Sequence, residues 1–164
     1  MKKIIIGKKR EKRNAYHDFI SSTNMKESDM THEKQVLWAN QMYMEESFDH
    51  KDAIQKTIVK KINGYKQQDK KKEIYDEHYF IHMEQVVEKI VACKLTCHYC
   101  KDHMLIVYAD NRDPKQWTLD RIDNDMGHNT ENVVISCLQC NLKRRTTNMK
   151  KFLFTKQLKI VKKR

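Results

Sequence analysis

Apolar positions follow one period in the first part of the chain and another in the second. From Thr31 onward the spacing is helical. Thr31 is placed to cap a helix through "HEKQVLWANQMYMEES", with Val36, Leu37, Met42 and Met44 as its apolar candidates. Asp49 or Asp52 then opens a second helix through "AIQKTIVKKINGYKQQDKKK". Its Ile54, Ile58, Ile62 and Tyr65 fall on one face, with Gly64 a local weak point. A third helix fits "HMEQVVEKIVACK", with Met83, Val86, Val87, Ile90 and Val91 in one stripe. The methionines and aromatic residues of these stripes read as core and not as a ligand site.

At Cys97 the character changes. "MLIVY" (Met104–Tyr108) and "WTLDRI" (Trp117–Ile122) are strand-like runs separated by the turn-rich "ADNRDPKQ". "NVVISC" (Asn132–Cys137) is another strand, "LQCNLKRR" a helix, and Asn148 a cap for a last helix through "MKKFLFTKQLKIV". The expected organisation is a basic, mobile segment over residues 1–30, a helical region over 31–92, a strand-containing core over 93–147 and a basic extension over 148–164. The fold class is α+β.

Composition narrows the function classes. Three Gly and one Pro in 164 residues argue against a turn-rich all-β protein. No apolar run approaches the roughly 20 residues of a membrane span, and the apolar part of "MKKIIIGKKR" is too short for a secretory signal. No membrane partner is expected, and the expected location is a reducing compartment inside a cell. A formal charge of +11 favours polyanions, nucleic acid first, because neutralised phosphates release counterions.

In a reducing compartment five cysteines are thiols or metal ligands rather than disulfides. Cys97-x-x-Cys100 and Cys137-x-x-Cys140 are two knuckles, and together they can surround one tetrahedral Zn²⁺. Four sulfurs leave no open coordination position, so the ion would be structural. His98 and His103 are nearby substitutes for a sulfur, and Cys93 reads as a small buried hydrophobe.

Between the knuckles stand "TLDRID", the loop "NDMGHNTE", "NVVIS" and "CLQCNLKRR". This strand–loop–strand–helix order, with "LDRIDN", "GHNTENV" and "CLQCN-x-K", resembles the HNH endonucleases of the ββα-metal (His-Me finger) group. It is similar in wording to HNH proteins of phages and large DNA viruses, a likeness that implies a host cytoplasm or nucleus. The resemblance covers Cys97 to Arg145. It implies that Asp120 and Asn141 hold a catalytic Mg²⁺ or Mn²⁺. It also implies that Asn132 holds the loop that positions the base.

The family's general-base histidine directly follows the aspartate, and Arg121 stands there in this chain. Hydrolysis of a phosphodiester needs a group that takes a proton from water; histidine, with a free pKa of about 6.5, does this near neutral pH and arginine does not. Three resolutions are open. His128 takes over as base, with Arg121 as a phosphate clamp; Asp123 or Asp125 orients the water; or the fold no longer cuts.

Every charged residue from Asn141 to Arg164 is basic. Lys143, Arg144 and Arg145 follow the proposed metal ligand, and Lys150 and Lys151 continue the patch; phosphate contact is expected of all five. "KKREKR" would add a non-specific tether. No base-reading helix is apparent, so binding tolerant of sequence or specific for DNA structure is expected. Related phage recombination endonucleases cut branched DNA as dimers, which makes branched DNA and a homodimer the implied substrate and assembly. A non-cutting module that holds DNA or RNA, and a protein-docking scaffold, are the competing classes.

Overall fold

The structure is a computed structural model and describes residues 23, 25–108, 110 and 112–158. The N-terminal "KKREKR" and the basic residues beyond Leu158 lie outside the described residues. A short 3-10 turn (Glu27–Met30) leads into α1 (His32–Tyr43), α2 (Lys51–Lys71) and α3 (Met83–Ala92). Then come β1 (Trp117–Arg121), a 3-10 turn (Thr130–Asn132), β2 (Val133–Cys137), α4 (Leu138–Arg144) and α5 (Met149–Gln157). Five helices of this length and one two-stranded sheet make an α+β chain. Among the described residues no helix is long and apolar enough to cross a membrane.

The helices form where the periodicity predicts. Thr31 caps α1 by accepting from the backbone N–H of Lys34, and Asn148 caps α5 by accepting from those of Lys150 and Lys151. On α2 the predicted face is the buried one: Ile54, Ile58, Ile62 and Tyr65 are inside. On α3 it is Val86, Val87 and Ile90. Only α1 turns away from expectation. Its buried residues are Gln35, Trp38, Ala39 and Met42, while Leu37 and Met44 are exposed. Trp38 has the largest apolar surface on this helix and sets its rotation. Met25, within the segment expected to be mobile, is also buried in the core.

The sheet pairs β1 and β2 antiparallel, with Trp117 opposite Cys137 and Arg121 opposite Val133. Two strands of five residues are not stable alone in water, and here both faces are covered. Thr118 and Asp120 meet α4, through Asn141 and Arg144 respectively. On the other face Lys61 of α2 lies over the Trp117 ring at 4.8 Å, and its ammonium donates to Trp117 O and Gln116 Oε1. The alternation is that of any strand, whose successive side chains point to opposite faces.

Met104–Tyr108, expected as a strand, is irregular apart from one isolated bridge between Leu105 and Gln116. The reason is Gln35. Fully buried on α1, it accepts from the backbone N–H of Ile106 (2.6 Å) and Val107 (2.9 Å) and donates to Val107 O (3.0 Å). One side-chain amide thus takes the role of a neighbouring strand. Replacing Gln35 with Leu strands these buried peptide groups, each worth about 1–3 kcal/mol when unsatisfied. We expect Gln35→Leu to lower stability in urea by at least about 2 kcal/mol, with the slope of the transition unchanged.

Candidate active site

The four knuckle cysteines converge. Their sulfurs all lie within 4.8 Å of one another, with Cys100 Sγ 3.8 Å from Cys137 Sγ. A tetrahedral ion with metal–sulfur bonds of about 2.3 Å requires sulfurs about 3.8 Å apart, so the cluster could hold a metal ion such as zinc. Cys97, Cys137 and Cys140 are buried. The backbone N–H of Cys137 points at Cys97 Sγ (3.3 Å) and that of Cys140 at Cys137 Sγ (3.4 Å), which steadies negative charge on sulfur. The histidine substitutes are not in the cluster: His103 stacks on His32 at 3.7 Å. Cys93 stands apart, half-buried, with its thiol donating to Ile90 O.

The cluster sits at the open end of the hairpin, where β1 and β2 pair Trp117 with Cys137. At the other end is the loop between the strands, and Asn132 buckles it. Its Oδ1 accepts from Asp123 N and its Nδ2 donates to Asp123 O and Gly127 O, each at 2.9 Å. Arg121 adds a second tie, donating from NH1 to Asn124 O and Met126 O. That guanidinium nitrogen is therefore spent on the loop. Asp123 and Asp125 are exposed, and Asp123 Oδ1 accepts from Asp125 N within its own turn.

His128 is not the loose loop residue its neighbours in sequence suggest. It is buried, and Asp69 of α2 grips it twice. Asp69 Oδ2 accepts from the His128 backbone N–H (2.6 Å), and Oδ1 meets Nδ1 at 2.7 Å. The Tyr65 ring lies 4.5 Å from the imidazole. Burial pulls the imidazole below its ordinary pKa, with Arg121 and Lys72 adding to the effect and Asp69 opposing it. Burial thus favours the neutral ring. Its Nδ1–H donates to Asp69, and Nε2, which makes no hydrogen bond among the described residues, keeps a free lone pair.

Asp120 is placed differently from expectation. It is only 4% exposed. Its Oδ1 accepts from Arg144 NH1 at 2.7 Å, and its Oδ2 accepts from the Tyr99 hydroxyl. Burial pushes the carboxyl above its ordinary pKa, while Tyr99 and Arg144 pull the other way. Asn141 donates from Nδ2 to Thr118 Oγ1 and Leu119 O, and its Oδ1 is left without a hydrogen bond among the described residues. A hard divalent cation needs unshared oxygen donors and room for water. As arranged, Asp120 has a guanidinium on one oxygen and a hydroxyl on the other, so these residues do not fit such an ion.

Arg144 is the second correction. It was expected on the phosphate-facing surface, but it is fully buried, bonded also to Arg121 O (2.6 Å) and Ile122 O (3.1 Å). Lys143, Arg145, Lys150 and Lys151 are exposed, as phosphate contact requires. No protein-family model matches the chain, and comparisons with curated proteins and with solved structures find no match.

Sequence reasoning missed Asp69, Tyr99 and the inward turn of Arg144. One signal was available for Asp69. It continues the buried face of α2 as the fourth residue after Tyr65, where a carboxylate needs a partner.

Two outcomes test this geometry. Metal analysis of the purified chain should give one tightly held ion, lost in Cys140→Ser along with much of the thermal stability. Arg144→Met leaves a buried carboxylate without its cation, a change that costs about 3–5 kcal/mol in comparable pairs. The deficit should shrink as pH falls, because a protonated Asp120 no longer needs the cation; urea titrations at neutral and mildly acidic pH measure it.

Proposed function

We propose that the chain is an endonuclease of the HNH kind that hydrolyses DNA phosphodiester bonds, with zinc in the four-cysteine cluster and His128 as general base. The observation that carries this reading is the buried His128 imidazole, held by Asp69 at Nδ1 with Nε2 making no hydrogen bond among the described residues. The resemblance in "LDRIDN", "GHNTENV" and "CLQCN" supports it, as do the exposed cations Lys143, Arg145, Lys150 and Lys151 on and after α4. In this reading Nε2 takes a proton from the attacking water, and the basic residues hold the flanking phosphates by charge. The remaining N–H groups of Arg121 meet a non-bridging phosphate oxygen. Mg²⁺ or Mn²⁺ would supply positive charge at the phosphate in the family resembled. Asp120 and Asn141 do not fit that ion as arranged, and no step is assigned to it.

The sealing of Asp120 by Arg144 and Tyr99 favours a second reading, a zinc-stapled module that binds nucleic acid without cutting it. Cleavage assays separate the two. Linear, supercoiled and four-way-junction DNA are incubated with Mg²⁺, with Mn²⁺ and with chelator, using wild type, His128→Ala and Asn141→Ala. The endonuclease reading predicts cutting by wild type and a loss of about 10²–10⁴-fold in His128→Ala. A shift of the DNA without cutting, alike in all three proteins, supports the binding module instead. For either reading, Lys143→Ala with Arg145→Ala should weaken binding to all DNA sequences alike. It should also flatten the dependence of log affinity on log salt by about 2.

A further inference from the structure

The last turns of α2 carry two residues that a mere packing helix would not need. Asp69 is fully buried one turn beyond Tyr65 on the face that meets the loop. A carboxylate there costs stability twice, once by losing water and once by standing near the negative end of a helix. Both oxygens find their compensation in a single residue, His128, through its backbone N–H and through Nδ1.

The approach is close enough to dictate the neighbouring residue. A Cβ at Gly127 would stand 2.6 Å from Ile74 O and 3.0 Å from Asp69 Oδ2. Glycine is thus required for the loop to lie against the end of α2. Ile81 N donates to His128 O and fixes the backbone from the other side (3.0 Å). Tyr65 covers a ring face, and its hydroxyl accepts from Leu119 N, next to Asp120 (3.1 Å). One ring nitrogen is clamped; the other makes no hydrogen bond among the described residues and is open to solvent, as a base acting on water requires.

We propose that Asp69 is a positioning residue of the active site: it fixes His128 in the tautomer whose Nε2 accepts a proton, and it stabilises the imidazolium formed when that proton arrives. This rests on His128 being the base. In the step, the proton passes from water to Nε2 as the water oxygen forms its bond to phosphorus; the bond from phosphorus to the leaving ester oxygen breaks, its electron pair stays on that oxygen, and the oxygen takes a proton from solvent. The helical region, on this view, completes the site between the knuckles.

Asp69→Asn tests it. The amide keeps the size, and its oxygen still accepts from the His128 N–H. Its NH₂ group now faces Nδ1 and can only donate, so the proton must move to Nε2. Long-range ¹⁵N–¹H spectra of the full chain should show His128 as the Nδ1–H form in wild type and as the Nε2–H form in Asp69→Asn. Cleavage should fall on the order of 100-fold or more, and the rate profile should lose its dependence on a group titrating near His128. The charged and titratable groups facing that ring are Asp69 and Tyr65 from α2, Lys72 just beyond it and Arg121 from β1. Asp69→Glu, which keeps the carboxylate, should restore part of the rate.

A wild-type His128 with its proton on Nε2 overturns the proposal, as does Asp69→Asn cutting at the wild-type rate. If no variant cuts but the tautomer changes as described, the nuclease reading fails while the control of His128 by Asp69 stands. If His128→Ala abolishes cutting and Asp69→Asn does not, the base is right and Asp69 is only structural.

Discussion

Two five-residue strands do not hold themselves together in water, and the architecture of this chain follows from that constraint. The hairpin of β1 and β2 is closed at one end by four cysteines from two distant knuckles. On one face it is underpinned by α4, and on the other it is covered by α2. Each support reaches it through named groups: Arg144 to Asp120, Lys61 to Trp117, Tyr65 to Leu119. The buried apolar residues form one core running through all of these elements. The helical region and the cysteine-bounded region are therefore parts of one object, and the boundary between them in the sequence has no counterpart in the packing.

The same constraint decides the chemistry. A hairpin sandwiched on both faces buries whatever polar residues it carries, and a buried charge must find a partner. Asp120 finds Arg144 and Tyr99, which removes it from solvent. Asp69 finds His128, which leaves one imidazole nitrogen fixed in direction and without a hydrogen bond among the described residues. The two carboxylates thus have opposite consequences. One is neutralised by a permanent cation; the other orients an imidazole, a group that can gain and lose a proton. The Tyr65 side chain stands between them, with its ring against His128 and its hydroxyl on the residue before Asp120.

Much of this was legible in the sequence where a single residue type carries a single physical demand. The face of α2 from Ile54 to Tyr65 follows from helical period, and the knuckles follow from thiolate spacing. Asn132 is singled out by the resemblance alone, and its side chain bonds to Asp123 and Gly127 in the loop. The unreadable parts depend on partners far apart in the chain. Gln35 satisfies peptide groups about seventy residues away, so the apolar run at Met104–Tyr108 looks like a strand and is not one. Arg144 sits in a basic run whose other members face outward; its inward turn is set by Asp120 across the sheet. Asp69 continues the helical period of Ile54 to Tyr65, but its partner His128 stands 59 residues away in a loop, so the pairing itself could not be read.

If α2 supports the hairpin as the packing indicates, the cysteine-closed hairpin and α2 unfold as one cooperative unit, and the site exists only when both are in place. Hydrogen–deuterium exchange, read by mass spectrometry on the zinc-loaded chain before and after addition of a chelator, tests this directly. Amides of Val133–Cys137, Leu138–Arg144 and the stretch of α2 around Tyr65 and Asp69 should lose protection together. Free exchange of the strands while α2 keeps its full protection would contradict it, and would make the helices a separate module that only touches the site.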